Sequence, residues 1–172
     1  MTSYKEKLPA ITTFIFDVDG VLTNGEILLM KEDFVRSLNS RDGYALQYAA
    51  KQGYRILIIT GGSSIIVEER LLSLGITEVR LKSYNKLAVY NDLKAKYGFT
   101  DEQVLYMGDD IPDYEVLQRV GVSTCPQDAA VEIKEMTDYQ SPYMGGKHCV
   151  RDVIEQTLRA QKKWFQKNAL EW

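Results

Sequence analysis

Ile11-Thr12-Thr13-Phe14-Ile15-Phe16-Asp17-Val18-Asp19-Gly20-Val21 is the stretch on which the reading of this chain turns. Residues 11–16 are all β-branched or aromatic, the composition of a buried strand. The run ends on two carboxylates and a glycine. Strand alternation puts Asp17 and Asp19 on one face. Two close carboxylates repel unless a proton or cation lies between them, and magnesium favours such hard oxygen ligands. One carboxylate then suits attack on phosphorus, and the other suits proton donation to a leaving oxygen and later activation of water. The competing reading is an ordinary turn, because Asp and Gly are common after strands.

Outward from this stretch, four more apolar runs read as strands: RILIIT (55–60), EVRL (78–81), VLYMG (104–108) and GVST (121–124). Helical spacing covers 42–52, 63–74, 85–97, 113–119 and 129–135. A longer closing helix runs from Val150 to about Lys167, with Val150, Val153, Ile154, Thr157, Leu158 and Gln161 on one face. Such β-α alternation predicts an α/β fold, a parallel sheet with helices on both faces, formed as one domain over residues 1–172. Right-handed crossovers then collect the carboxyl ends of the strands on one edge, where α/β folds bind ligands. Residues 25–39 break the pattern and read as a β-hairpin inserted after the first strand, turning at Lys31-Glu32-Asp33 and standing over that edge as a flap.

Three further groups fall at the same edge. Gly108-Asp109-Asp110-Ile111-Pro112-Asp113 follows a buried strand. Asp109 is the metal-ligand candidate there, Asp110 a candidate for the metal's water shell, and Asp113 either a helix cap or a support for that shell. Thr60-Gly61-Gly62-Ser63 offers a hydroxyl and backbone N–H groups to phosphate oxygens. Lys86, near a helix start, can neutralise a phosphoryl group and its nucleophile together.

Other classes fit poorly. No arginine stands six positions after Cys125 or Cys149, as a cysteine phosphatase loop requires, and the single histidine, His148, excludes a multi-histidine zinc site. No GxxxxGK[ST] is present. Net charge is -3, with no general attraction to nucleic acid, and the basic KKWFQK reads as a solvated helix end. No run approaches a membrane span, the start MTSYKEKLPA has no apolar signal core, and the two cysteines read as free thiols, so a cytoplasmic location is expected.

Taken in order, Asp17-Val18-Asp19-Gly20-Val21, Thr60, Lys86 and Gly108-Asp109-Asp110 resemble the four motifs of the haloacid dehalogenase superfamily, across most of the chain. The absence of a large inserted domain resembles its cap-less branch. Asn39-Ser40-Arg41-Asp42-Gly43-Tyr44, Glu69-Arg70 with Leu74-Gly75-Ile76, and Gly145-Gly146 with Val150-Arg151-Asp152 and Leu158-Arg159-Ala160-Gln161 resemble the group acting on 3-deoxy-D-manno-octulosonate 8-phosphate in lipopolysaccharide sugar synthesis. The resemblance implies a three-layer Rossmann-like fold and a homotetramer whose subunits cover each other's sites. It implies Asp17 as nucleophile, Asp19 as acid and base, and Thr60 and Lys86 on phosphate. Mg2+ would be held by the Asp17 carboxylate, the Asp19 backbone carbonyl and Asp109. Asn39, Ser40, Arg41, Asp42, Gly43, Gly61 and Arg70 would bind substrate. Gln47 and Gly62 stand where many members carry arginine, and Lys147-His148 replaces a common Arg-Gly. A nine-carbon sugar-acid phosphate is the alternative substrate, and a receiver-like phosphorylation module the alternative outside enzymes.

Overall fold

The computed structural model describes residues 3–31 and 34–172. Of the expected hairpin turn, Glu32 and Asp33 lie outside the described residues. In chain order the elements are α1 (Tyr4–Lys7), β1 (Thr13–Phe16), β2 (Leu28–Leu29), β3 (Phe34–Val35), α2 (Ser40–Lys51), β4 (Arg55–Ile59), α3 (Ile65–Ser73), β5 (Glu78–Arg80), α4 (Lys86–Tyr97), β6 (Val104–Met107), α5 (Tyr114–Leu117), β7 (Val122–Cys125), α6 (Val131–Met136), β8 (Tyr139–Gln140) and α7 (Cys149–Ala160).

Six strands form one parallel sheet in the order β5-β4-β1-β6-β7-β8. β1 lies inside it, with Phe16 registered against Ile58 of β4 and Met107 of β6. Asp17, Thr60 and Gly108 therefore leave the sheet side by side. The chain moves outward from β1 in both directions, so β1 is a topological switch point with a crevice at its carboxyl end.

Both faces are covered, which explains the unbroken apolar runs. Phe14, Phe16, Ile56, Ile58, Leu105 and Met107 join a core with residues of α2 and α7, whereas Ile15, Leu57, Ile59, Val104 and Tyr106 join one with residues of α4 and α5. This split is the two-residue side-chain period of the strands.

The expected closing helix is too long. α7 stops at Ala160, because Lys162 and Phe165 are left-handed (φ 57° and 59°) and turn the tail back onto α2. The tail is held by Tyr48, whose hydroxyl donates to the Lys163 carbonyl at 3.0 Å and accepts from the Gln166 N–H at 3.0 Å. The expected helix over 113–119 is a 3-10 turn, Ile111–Asp113, followed by the single turn of α5. The short elements α1 and β8 were not foreseen; neither is long enough to show a period. The hairpin after β1 is present as antiparallel β2 and β3, two residues each.

Candidate active site

Asp17 follows β1 directly, its N–H donating to the Met107 carbonyl at 3.1 Å, so the ladder fixes its place. One of its carboxylate oxygens accepts from the Val18 N–H at 2.7 Å, and the other lies 3.0 Å from Lys86 Nζ. Lys86 opens α4, whose first turn is capped by Asn85 through the Ala88 N–H. Its ammonium also donates to Asp113 at 2.6 Å. Asp17, Lys86 and Asp113 are all buried.

Asp113 is the most heavily bonded of these carboxylates. One oxygen accepts from Lys86 and from the Tyr106 hydroxyl at 2.5 Å; the other accepts from the Asp109 N–H at 3.2 Å and the Asp110 N–H at 3.5 Å. Asp110 caps its own turn through the Ile111 N–H at 2.8 Å. Two glycines make the packing possible. A Cβ on Gly108 would stand 2.4 Å from the Asp113 carboxyl carbon, and one on Gly20 would stand 2.0 Å from Asp109 Oδ2, at a φ of 87° that side chains rarely adopt.

Asp17, Asp109 and Asp113 each present a carboxylate oxygen within 4.8 Å of the others. Burial, reinforced by the charge of Asp113 and opposed by Lys86, pushes Asp17 up to about 7. Burial and the charges of Asp17 and Asp113 push Asp109 up to about 8. Burial alone would lower the Lys86 pKa, but Asp17 and Asp113 raise it. Three carboxylates facing one ammonium leave an excess of negative charge on hard oxygen donors, and a magnesium ion fits that deficit.

Asp19 is placed differently from the expectation of strand alternation. The strand ends at Phe16, and Asp19 sits in an irregular turn spanning Val18–Leu22. Its carboxylate stays out of the three-carboxylate cluster and accepts two hydrogen bonds from Arg36, from Nε at 2.5 Å and Nη2 at 3.0 Å. The ligand expected from Asp19 is its backbone carbonyl, which takes no part in that pairing. Thr60 follows β4, buried, its hydroxyl oxygen accepting from the Gly62 N–H at 3.1 Å.

One cleft of about 450 Å³ is lined by Asp17, Asp19, Thr60, Gly61, Lys86 and Asp109, together with Tyr84 and Asp113. The other residues expected to bind substrate lie elsewhere on the chain. Asn39, Ser40, Asp42, Gly43 and Arg70 line a separate cavity of about 100 Å³, and Arg41 borders another beside His148 and Arg151. Asn39 caps α2 through the Arg41 and Asp42 N–H groups, and Asp42 accepts from the His148 and Arg151 N–H groups at the start of α7. Arg36, Tyr84 and Tyr106 were missed. Arg36 had a signal, as an arginine on the exit of a hairpin already read as a flap. Tyr106 had only its place on a buried strand.

A model of haloacid dehalogenase-like hydrolases matches residues 71–154. The 3-deoxy-D-manno-octulosonate 8-phosphate phosphatase KdsC of Escherichia coli K12 is 37% identical over 158 residues, covering 91% of this chain and 84% of that protein. The phosphatase of that name from Yersinia pestis superposes with a TM-score of 0.90 at 33% identity, over 93% of this chain and 87% of that one. Its counterpart from Moraxella catarrhalis, crystallised with a magnesium ion, a phosphate ion and KDO, superposes with a TM-score of 0.90 at 31% identity, over 94% and 93%. With this identity over most of both chains and the same fold, the chain belongs to the KdsC family of 3-deoxy-D-manno-octulosonate 8-phosphate phosphatases, among the haloacid dehalogenase-like hydrolases.

Proposed function

We propose that this protein is a magnesium-dependent phosphatase that releases phosphate from 3-deoxy-D-manno-octulosonate 8-phosphate through an aspartyl-phosphate on Asp17. The observation that carries the reading is the cluster of buried Asp17, Lys86 and Asp113 with half-buried Asp109 where neighbouring parallel strands end. The family relation and the magnesium, phosphate and KDO bound by the Moraxella relative support the substrate and the cation.

In this reaction an Asp17 oxygen attacks phosphorus in line with the ester oxygen. Asp19 gives its proton to that oxygen, so the sugar acid departs as a neutral alcohol at that position. Asp19 then takes a proton from the water that attacks the phosphoryl group on Asp17, which frees phosphate and restores the carboxylate. Lys86, the Thr60 hydroxyl and the Gly61 N–H hold the phosphoryl oxygens, and Asp113 keeps Lys86 aimed at them. Asp17, Asp109 and the Asp19 carbonyl would hold magnesium, which when bound neutralises phosphoryl charge and orients the nucleophile.

The test is phosphate release from the eight-carbon sugar-acid phosphate, a nine-carbon one and a hexose phosphate, each with magnesium and with EDTA. Preference for the hexose phosphate would overturn the substrate. Release of only one phosphate per chain would favour a receiver-like module.

The assembly proposed with this function is a homotetramer. Supporting it, the hairpin exposes Leu28 (63%), Leu29 (74%) and Phe34 (50%) beside Ile65 and Ile66 of α3, an apolar surface suited to a second copy. In such an assembly a neighbouring subunit would cover the site. Leu29→Asp should then yield smaller species in light scattering after gel filtration; an unchanged mass would remove the hairpin from the interface. Both cysteines are free, which suits the cytoplasmic location proposed here.

A further inference from the structure

Among the described residues the hydrogen bonds to the Asp19 carboxylate come from Arg36 alone, as a two-pronged pair at 2.5 and 3.0 Å. Asp19 stands in an irregular turn with its side chain 29% exposed, so no strand ladder fixes its torsions. Arg36 is the better anchored partner. Its side chain is 5% exposed, and its Nη1 also donates to the Phe34 carbonyl at 2.9 Å. It comes from the end of β3 to Asp19, which lines the cleft, and passes close to Gly62, where a Cβ would lie 3.5 Å from Nη2 and 3.4 Å from the Thr60 hydroxyl oxygen.

We infer that Arg36 is a positioning residue for proton transfer by Asp19, an inference that rests on the acid and base role proposed above. Both Asp19 oxygens point into the guanidinium fork. To act, Asp19 must turn one protonated oxygen to the ester while the other stays on the fork. The Asp17–phosphorus bond then forms as the bond from phosphorus to the ester oxygen breaks. The bonding pair goes to the departing oxygen, which takes the Asp19 proton, and Asp19 is left as a carboxylate that returns to the two-pronged pair. The fork thus limits the search of a partly exposed side chain and receives the anion that the transfer creates. It also ties the acid to the hairpin, so that displacement of the hairpin displaces the proton donor.

The signature is a dependence on the leaving group. kcat/KM reports steps up to departure of the alcohol, and the p-nitrophenolate of p-nitrophenyl phosphate leaves without a proton, whereas a sugar alkoxide does not. The ratio of kcat/KM for the sugar-acid phosphate to that for p-nitrophenyl phosphate should fall at least about tenfold in Arg36→Gln, within the range assigned to general acids. Arg36→Lys, which restores one prong, should recover part of the ratio. In an Asp19→Asn background, Arg36→Gln should lower it no further. An equal loss on both esters would place Arg36 on the shared phosphoryl group or the fold, and a rise for the sugar ester would make it an obstruction; either overturns the inference. If Asp19→Asn lowers the ratio while Arg36→Gln leaves it, positioning by Arg36 fails and the acid survives. If Asp19→Asn leaves it unchanged, the acid role fails and the inference falls with it.

Discussion

Stripped of divalent cations, the protein should lose stability as the pH rises from 5 to 7. Asp109 is pushed up to about 8 and Asp17 to about 7, each by burial first and then by neighbouring carboxylates. A carboxyl group raised in the fold keeps its proton where the unfolded chain, near the ordinary 3.8, has released it. Its contribution is complete below the unfolded value and is lost as pH climbs through the folded one. One retained proton gives a slope of about 1.4 kcal/mol per pH unit, so two units remove about 3 kcal/mol. For a chain of this size that corresponds to about 6–12 °C in Tm. A second proton shared with Asp17 would steepen the fall.

Glu78 and Asp101 are lowered by their lysine and tyrosine partners against the effect of burial, and lose their contributions only as pH falls below the ordinary carboxylate range, outside this window. Asp42, raised by burial, acts with the same sign as Asp109 and is separated from it by mutation. The assay is calorimetric unfolding at pH 5, 6 and 7 in EDTA and in saturating magnesium. The slope should be steep in EDTA, flatter with the cation in place of the proton, and flatter in Asp109→Asn. A Tm that is level or rises with pH in EDTA, or an Asp109→Asn variant with the wild-type slope, would refute the reasoning.

Asp17→Asn, nearly isosteric, should reduce phosphate release by about 10⁴-fold or more while leaving the far-ultraviolet dichroism unchanged; activity near wild type would remove Asp17 as nucleophile. Gly20→Ala, which sets a methyl group against the Asp109 carboxylate at a left-handed φ, should cost about 1–3 kcal/mol in urea unfolding and depress turnover further than that loss explains.

The sheet was legible because it is covered on both faces: RILIIT and VLYMG carry no charged residue inside the run to confuse the period, and each strand stops one residue before its run does. The positions of the candidate residues were legible for the same reason, since Asp17, Thr60 and Asp109 occur within two residues of those ends. What could not be read depends on contacts distant in sequence. The end of α7 is set by the tail docking on Tyr48, which apolar spacing does not encode. Asp19 looked like a strand partner of Asp17, but the ladder ends before it and an arginine from the hairpin takes its carboxylate. Asp113 read as a helix cap or a support for the metal's water shell. It is also the buried counter-charge of Lys86, and nothing near either residue in sequence announces a pair formed across 27 positions.

That difference between carboxylates predicts which one the cation needs. Asp113 is satisfied by an ammonium, a phenol and two backbone N–H groups, so another positive charge would compete with partners already in place. Asp17 accepts from one N–H and one ammonium. The Asp109 carboxylate accepts no hydrogen bond from the described residues, yet it is wedged against Gly20 with burial and two carboxylates raising the cost of its charge. An ion gains most where the protein supplies least, so Asp109 should serve the metal and Asp113 the fold. Asp113→Asn leaves Lys86 with Asp17 and a neutral amide as buried partners and should cost about 1–3 kcal/mol in urea unfolding at pH 7. Asp109→Asn should instead raise the Tm of the metal-free protein and weaken magnesium, measured by calorimetric titration, by more than about tenfold, at least the loss seen when a supporting group around a ligand is removed. The reverse pattern, a stable Asp113→Asn that no longer binds magnesium beside an Asp109→Asn that unfolds, would exchange the two assignments.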